Sequence, residues 1–225
     1  MQTTGIFKAA LFDLDGTLID SLAAVQRSWT LLAQRNQLDV DTVFSVIHGR
    51  PARESLALLM PEKTSAEIDK EMSWLEDLEA NDTQGTIVLP GSVEFLETLN
   101  AHQVPWAIVT SGTLPVAMAR IQASGIPKPA CVITANDITQ GKPHPEPYLL
   151  GAERLGVAIE DCMVFEDAPA GIESGRAAGG QLMAILSHYS QDVLQVEHAV
   201  TTIDKLTLLE HEAGDAQAKR WTLTY

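Results

Sequence analysis

Cysteine is scarce in this chain, with Cys131 and Cys162 the two among 225 residues. Each opens an apolar run, which reads as a buried thiol rather than half of a disulfide or of a metal pair. A reducing, cytoplasmic setting is the expectation. Positive charge is scarce as well: 15 Lys and Arg stand against 30 Asp and Glu, a net charge of −15. That balance argues against nucleic acid as a partner, because neutralising phosphates supplies most of that affinity. It argues equally against an anionic membrane surface. No stretch reaches the roughly 18 apolar residues of a membrane-spanning helix. Met1-Gln2-Thr3-Thr4-Gly5 lacks the charged-then-apolar pattern of a secretory leader. A small anion is still an admissible ligand, provided a metal or specific Lys and Arg residues reverse the field locally.

Apolar residues are plentiful at 45%. The length suits one large or two modest domains. Phe7 to Asp13 reads as a buried strand. From Ser21 to Asp82 the spacing turns helical: Leu22, Val25, Trp29 and Leu32 form one stripe, and Ile68, Met72, Leu75 and Leu78 another. Pro51 and Pro61 punctuate this stretch, and no strand signal occurs in it. Beyond it, apolar runs at 106–110, 131–134, 163–166 and 182–186 alternate with helical segments at 93–100, 115–124, 146–155 and 168–178. Continuous apolar strands separated by amphipathic helices predict an α/β fold, a Rossmann-like parallel sheet with helices on both faces. The predicted division is a core of residues 1–20 and 86–225, with an all-helical insertion at 21–85. Trp221 to Tyr225 is a candidate edge strand.

The most informative stretch is Phe12-Asp13-Leu14-Asp15-Gly16-Thr17-Leu18. An apolar strand delivers two carboxylates one residue apart, and a glycine then bends the chain. In open α/β sheets ligands bind at the carboxyl ends of the strands. Close carboxylates suit a hard cation and a nucleophile beside an acid/base. Asp-Gly is also an ordinary turn signal, so the other strand ends decide. Thr110-Ser111-Gly112 offers hydroxyl and backbone donors for phosphate oxygens, though it also reads as a turn before a helix. Gly141-Lys142-Pro143-His144-Pro145-Glu146-Pro147 is a proline-stiffened loop that presents a lysine as a point charge; His144 reads as a loop residue. Glu166-Asp167 ends a further strand with adjacent acids. Burying these near Asp13 is costly unless a cation pairs with them.

Taken together, the four segments resemble the motifs of the haloacid dehalogenase superfamily. Asp13-Leu14-Asp15-Gly16-Thr17 resembles its first motif, Thr110 the second, Lys142 the third and Glu166-Asp167 the fourth. The runs Ile133 to Leu149 and Phe165 to Ile172 are similar to those of microbial sugar-phosphate and polyol-phosphate phosphatases. The resemblance implies a helical (C1-type) cap inserted after the first strand, and a monomer or weak homo-oligomer acting on a small phosphorylated sugar or polyol. It implies Asp13 as nucleophile and Asp15 as acid/base. It further implies Mg2+ held by Asp13, Asp15 through its backbone carbonyl, Asp167 and Glu166, with Thr110, Ser111 and Lys142 on the phosphate.

A cap would choose the leaving group. Arg50, Arg53 and His48 are its candidate specificity residues, with Arg50 favoured because it lies beside Gly49. Trp29 and Trp74 are expected to pack the cap core. A sugar phosphomutase shares all four motifs. In that branch a valine often stands where this chain has Thr17, and a cap-helix histidine where it has Val25. A haloacid dehalogenase and a non-enzymatic phospho-ligand binding protein are more remote readings.

Overall fold

Ala9–Phe12 form β1, and all four residues are completely buried. The computed structural model describes residues 2–47, 51–211 and 219–225. After β1 comes a short β2 (Ile19–Asp20), then helices α1 (Leu22–Asn36), α2 (Val40–Ile47), α3 (Ala52–Leu59) and α4 (Ser65–Asn81). β3 (Ile87–Val88) pairs antiparallel with β2, so the chain leaves for the helices and returns from them through one two-stranded ribbon. Helices and strands then alternate: α5 (Ser92–His102), β4 (Trp106–Val109), α6 (Leu114–Ser124), β5 (Cys131–Ile133), α7 (Glu146–Leu155), β6 (Cys162–Glu166), α8 (Pro169–Ala178) and β7 (Gln181–Ile185). A short α9 (Gln191–Leu194), β8 (Ala199–Val200), β9 (Thr207–His211) and β10 (Arg220–Thr224) complete the order.

Six parallel strands make the main sheet in the order β5-β4-β1-β6-β7-β8. Strand order reverses at β1, and in such sheets a crevice opens beyond the strand ends at that point. Side chains alternate across the strands. Ala10 and Phe12 join Phe95, Leu96, Ala117 and Ile121 of α5 and α6 on one face. Ala9 and Leu11 join Tyr148 and Ala152 of α7 on the other. Both faces are therefore covered, which is why the strands read as unbroken apolar runs. Phe12 and Phe165 are opposite each other in the β1–β6 register and stack with ring centroids 4.3 Å apart. Phe95 meets both rings edge-on.

The helices α1 to α4 bury a separate cluster that includes Trp29, Leu32, Val43, Ile47, Leu56, Ile68 and Leu75, with Trp74 packed at its margin. Thr64 and Glu67 form a reciprocal capping box at the start of α4. Glu71 on α4 ties the bundle together, accepting from Arg35 Nε at 3.1 Å, Asn36 Nδ2 at 3.1 Å and Lys63 Nζ at 2.9 Å.

Two expectations change. β10 does not extend the main sheet: it pairs antiparallel with β9 in a separate ribbon. The strand expected from Phe7 begins at Ala9, and Phe7 bridges to Trp221 instead. Trp221 and Leu223 are buried against the α5–α6 face, so the tail seals that core rather than lengthening the sheet. Cys131 and Cys162 lie on β5 and β6 as free thiols. Among the described residues, no helix is long and apolar enough to cross a membrane.

Phe165→Ala removes a fully buried ring at the base of the strand ends. It should cost about 3–5 kcal/mol in urea denaturation, and a loss under about 1 kcal/mol would show that the stack is not a fixed part of the core. Burial alone would raise the Glu71 carboxyl, but hydrogen bonds from Asn36, Lys63 and Arg35 outweigh it and hold the group below its usual range. A depressed folded pKa stabilises at neutral pH and is lost as pH falls through that pKa. Glu71→Gln should therefore cost about 1–3 kcal/mol at pH 7. The gap between the two proteins should narrow in thermal melts as the medium is acidified past the ordinary glutamate range.

Candidate active site

The carboxyl ends of β1 and β6 lie side by side, and each ends in acid. Asp13 follows β1, and its backbone N–H donates to the Phe165 carbonyl at 2.9 Å. Glu166 closes β6 and Asp167 follows it. Each of these three residues offers a carboxylate oxygen, all within 4.8 Å of one another, and all three residues are buried. Lys142 reaches in from the loop between β5 and α7. Its ammonium lies 2.6 Å from Asp13 Oδ1, 2.6 Å from Glu166 Oε1 and 2.9 Å from the Val109 carbonyl. The three donors of a lysine are all engaged. Glu166 Oε1 also accepts from the Tyr148 hydroxyl at 2.8 Å, and Oε2 accepts the backbone N–H groups of Asp167 and Ala168.

This arrangement polarises the group. Burial would neutralise Lys142, yet the adjacent Asp13 and Glu166 carboxylates outweigh it and raise its pKa, so the ammonium persists. Burial pushes the Asp13 carboxyl well up, with Glu166 and Asp167 adding to the rise against the pull of Lys142. The Asp167 carboxyl is also raised, by burial first, while a hydrogen bond from His188 pulls the other way. Three carboxylates beside one ammonium leave negative charge in surplus, with His188 a counter-charge to Asp167 only when its ring is protonated. All the donors are hard oxygens. Both the charge and the donor type fit Mg2+.

Gly16 shows why the paired aspartates need a glycine next. It has φ +94°, and a Cβ there would lie 2.2 Å from Asp167 Oδ2. Gly171 makes the matching allowance for Glu166, whose Oε1 would lie 1.8 Å from an added Cβ. The turn reading and the site reading of Asp13 to Gly16 are thus both right. The chain turns there, and the turn lets a second acid approach.

Asp15 stands apart from the cluster. Its Oδ1 accepts from Ser21 Oγ at 2.6 Å, and its Oδ2 lies 3.0 Å from Arg120. Thr110 is buried beside the Val109 carbonyl that Lys142 grips, and its Oγ1 accepts from Gly112 N at 3.0 Å. Ser111 is exposed next to it. The lysine loop is fastened by more than its prolines: Glu146 accepts from the backbone of Thr139 and Gln140, and Ser174 Oγ donates to the His144 carbonyl at 2.6 Å.

A family model of haloacid dehalogenase-like hydrolases matches residues 7–179. The chain belongs to this family. Hexitol phosphatase A of Escherichia coli is 44% identical over 92% of this chain and 97% of its own length. Glycerol-1-phosphate phosphohydrolase 2 of Saccharomyces cerevisiae is 37% identical over 83% of this chain and 78% of its own. Among solved structures, a family IA, variant 3 hydrolase of Entamoeba histolytica superposes with a TM-score of 0.77 at 26% identity, covering 89% of this chain and 95% of the other.

Within this hydrolase, Asp13, Lys142, Glu166 and Asp167 come together as the sequence predicts, with Thr110 and Ser111 at the adjoining strand end. Arg53 does not join them. Its guanidinium bonds Asp69 at 2.9 Å and Ser65 at 2.8 Å, on the helical side. His48 and Arg50 lie outside the described residues. Three contributors escape the motifs. Tyr148 holds Glu166 from α7, and its signal, an aromatic on an apolar helix face, is indistinguishable from core. His188 has Nδ1 3.3 Å from Asp167 Oδ2, in a turn with no readable pattern. Arg120 had a signal: it falls in the buried stripe Val116, Ala117, Arg120, Ile121, where a charge is out of place.

Lys142→Ala leaves Glu166 and Asp13 buried without their cation. It should lower stability by about 3–5 kcal/mol in urea denaturation. Lys142→Ala combined with Glu166→Gln should recover part of that loss. No recovery would mean that the packing of the lysine stem, rather than its charge, carries the effect.

Proposed function

We propose that this hydrolase removes phosphate from a small phosphorylated sugar or polyol, using Asp13 as nucleophile and Mg2+ as cofactor. The observation that carries the reading is the Lys142 bridge between Asp13 and Glu166, 2.6 Å from each. It fixes a buried carboxylate beside a cation, and the negative charge that the cluster keeps in surplus suits a divalent cation, which would reverse the local field for an incoming phosphate dianion. The likeness to hexitol and glycerol-1-phosphate phosphatases supports the substrate class.

An Asp13 carboxylate oxygen attacks phosphorus, the bond from phosphorus to the sugar oxygen breaks, and an aspartyl-phosphate forms. Asp15 gives its proton to the departing oxygen. It then takes a proton from water as the water oxygen attacks phosphorus and the Asp13–phosphorus bond opens. The Thr110 hydroxyl and the Ser111 backbone N–H bind phosphoryl oxygens, and Lys142 joins them when one of its three donors leaves its present acceptor. Positioning and charge stabilisation dominate such transfers. Asp13, the Asp15 backbone carbonyl and Asp167 would hold Mg2+, which when bound offsets the negative charge on the phosphoryl oxygens. Glu166, whose two oxygens are already bonded to protein donors, would contribute by holding Lys142.

We take residues 21–85 as the cap over a core of 1–20 and 86–225. Leaving-group choice is assigned to that module, including Arg50 and His48; Arg53 would have to leave Asp69 to take part.

Phosphate release from hexitol phosphates, glycerol 1-phosphate and 2-deoxyglucose 6-phosphate with Mg2+ tests the reading. Turnover should vanish with EDTA and return with Mg2+. Asp13→Asn should cost at least about 10³-fold in kcat. Conversion of β-glucose 1-phosphate to glucose 6-phosphate without free phosphate would replace it with a phosphomutase. An absence of turnover across the panel would leave a binding protein.

A further inference from the structure

Arg120 is a buried guanidinium that the four motifs do not include. It stands on α6 at 6% exposure, in the apolar stripe that faces the core. Desolvating a cation costs several kcal/mol unless partners offset it. Arg120 has two, from different parts of the chain: Asp15 Oδ2 at 3.0 Å and Glu79 Oε2 at 3.3 Å. Glu79 is near the end of α4. Asp15 receives its other bond from Ser21, which immediately precedes α1. Both oxygens of Asp15 are thereby tied to the places where the helices begin and end. Arg120 Nε is buried and finds no acceptor among the described residues.

A purely structural tie between α4 and α6 does not need this chemistry. Replacing a buried ion pair with apolar side chains is often neutral or stabilising, and the surrounding stripe is apolar. The guanidinium is instead placed so that its fork spans two carboxylates, one of them Asp15. We propose that Arg120 is a positioning residue for the reaction: it and Ser21 set the Asp15 carboxylate, and its second bond to Glu79 makes that setting depend on how α4 sits against α6. This rests on the reading of Asp15 as acid/base.

The test uses two leaving groups. Departure of a hexitol oxygen requires a proton from Asp15, whereas p-nitrophenolate leaves without one. The ratio kcat/KM reports the path up to transfer of the phosphoryl group to Asp13, before Asp15 acts on water. Arg120→Met should lower kcat/KM for a hexitol phosphate by about 30-fold or more and for p-nitrophenyl phosphate by less than about 3-fold. Arg120→Lys should restore part of the loss, and Glu79→Gln should show a smaller effect with the same selectivity. Should Arg120→Met fail to fold, the Lys and Glu79 variants carry the comparison. Equal losses on both substrates, or no loss on either, would overturn the proposal and make Arg120 a structural tie. Asp15→Asn separates the two readings. If it fails to discriminate between the substrates, the acid/base assignment is wrong. If it discriminates and the Arg120 variants do not, only the role of Arg120 is wrong.

Discussion

The buried ammonium of Lys142 is the constraint around which the strand ends are organised. Asp13 and Glu166 are on adjacent parallel strands, and without a cation between them the two carboxylates would repel each other in a poorly solvated place. Much nearby structure serves to keep that cation there. The Val109 carbonyl takes its third donor, Tyr148 takes the remaining side of Glu166 Oε1, and Glu146 pins the loop that carries it. The lysine also leaves the site short of positive charge, and that shortfall makes the acids suitable for a divalent ion.

Beneath this charged layer lies an aromatic one. Phe12 and Phe165 each directly precede a site acid, and their stacked rings sit in the β1–β6 register that brings those acids level. The precision of the carboxylates is therefore inherited from apolar packing one residue below. A site on strand ends is held by the stiffest part of the molecule. The loops that complete it, at Thr110 and Lys142, are cross-tied to that same part.

The legible features were those that repeat or cluster in one dimension. The parallel sheet was visible because strands buried on both faces are continuous apolar runs. The acids and the hydroxyl were visible because each follows such a run, and the lysine because it opens a proline-rich loop. Strands of two residues, such as Ile19–Asp20 and Ala199–Val200, have no period to detect. The tail was misplaced because Trp221 and Leu223 identify a half-buried strand without naming its neighbour. Tyr148 and His188 act through partners 18 and 21 residues away. Arg120 was different. A lone charge in an apolar stripe is a local contradiction, and it was the readable trace of a contact with Asp15 more than a hundred positions earlier in the chain.

The ribbon of Ile19–Asp20 against Ile87–Val88 has a consequence for engineering. Entry to and exit from the helices lie on neighbouring strands, and Leu89 N donates to the Leu18 carbonyl just below them. To the sheet, everything between is a closed loop whose ends stay one strand spacing apart, whatever its length or content. Loop-closure cost grows only slowly with length, so the helices can be shortened, lengthened or exchanged without disturbing the register of β1. The ribbon is in effect a socket: the strand ends stay in place, while the part plugged into it can be replaced as a unit.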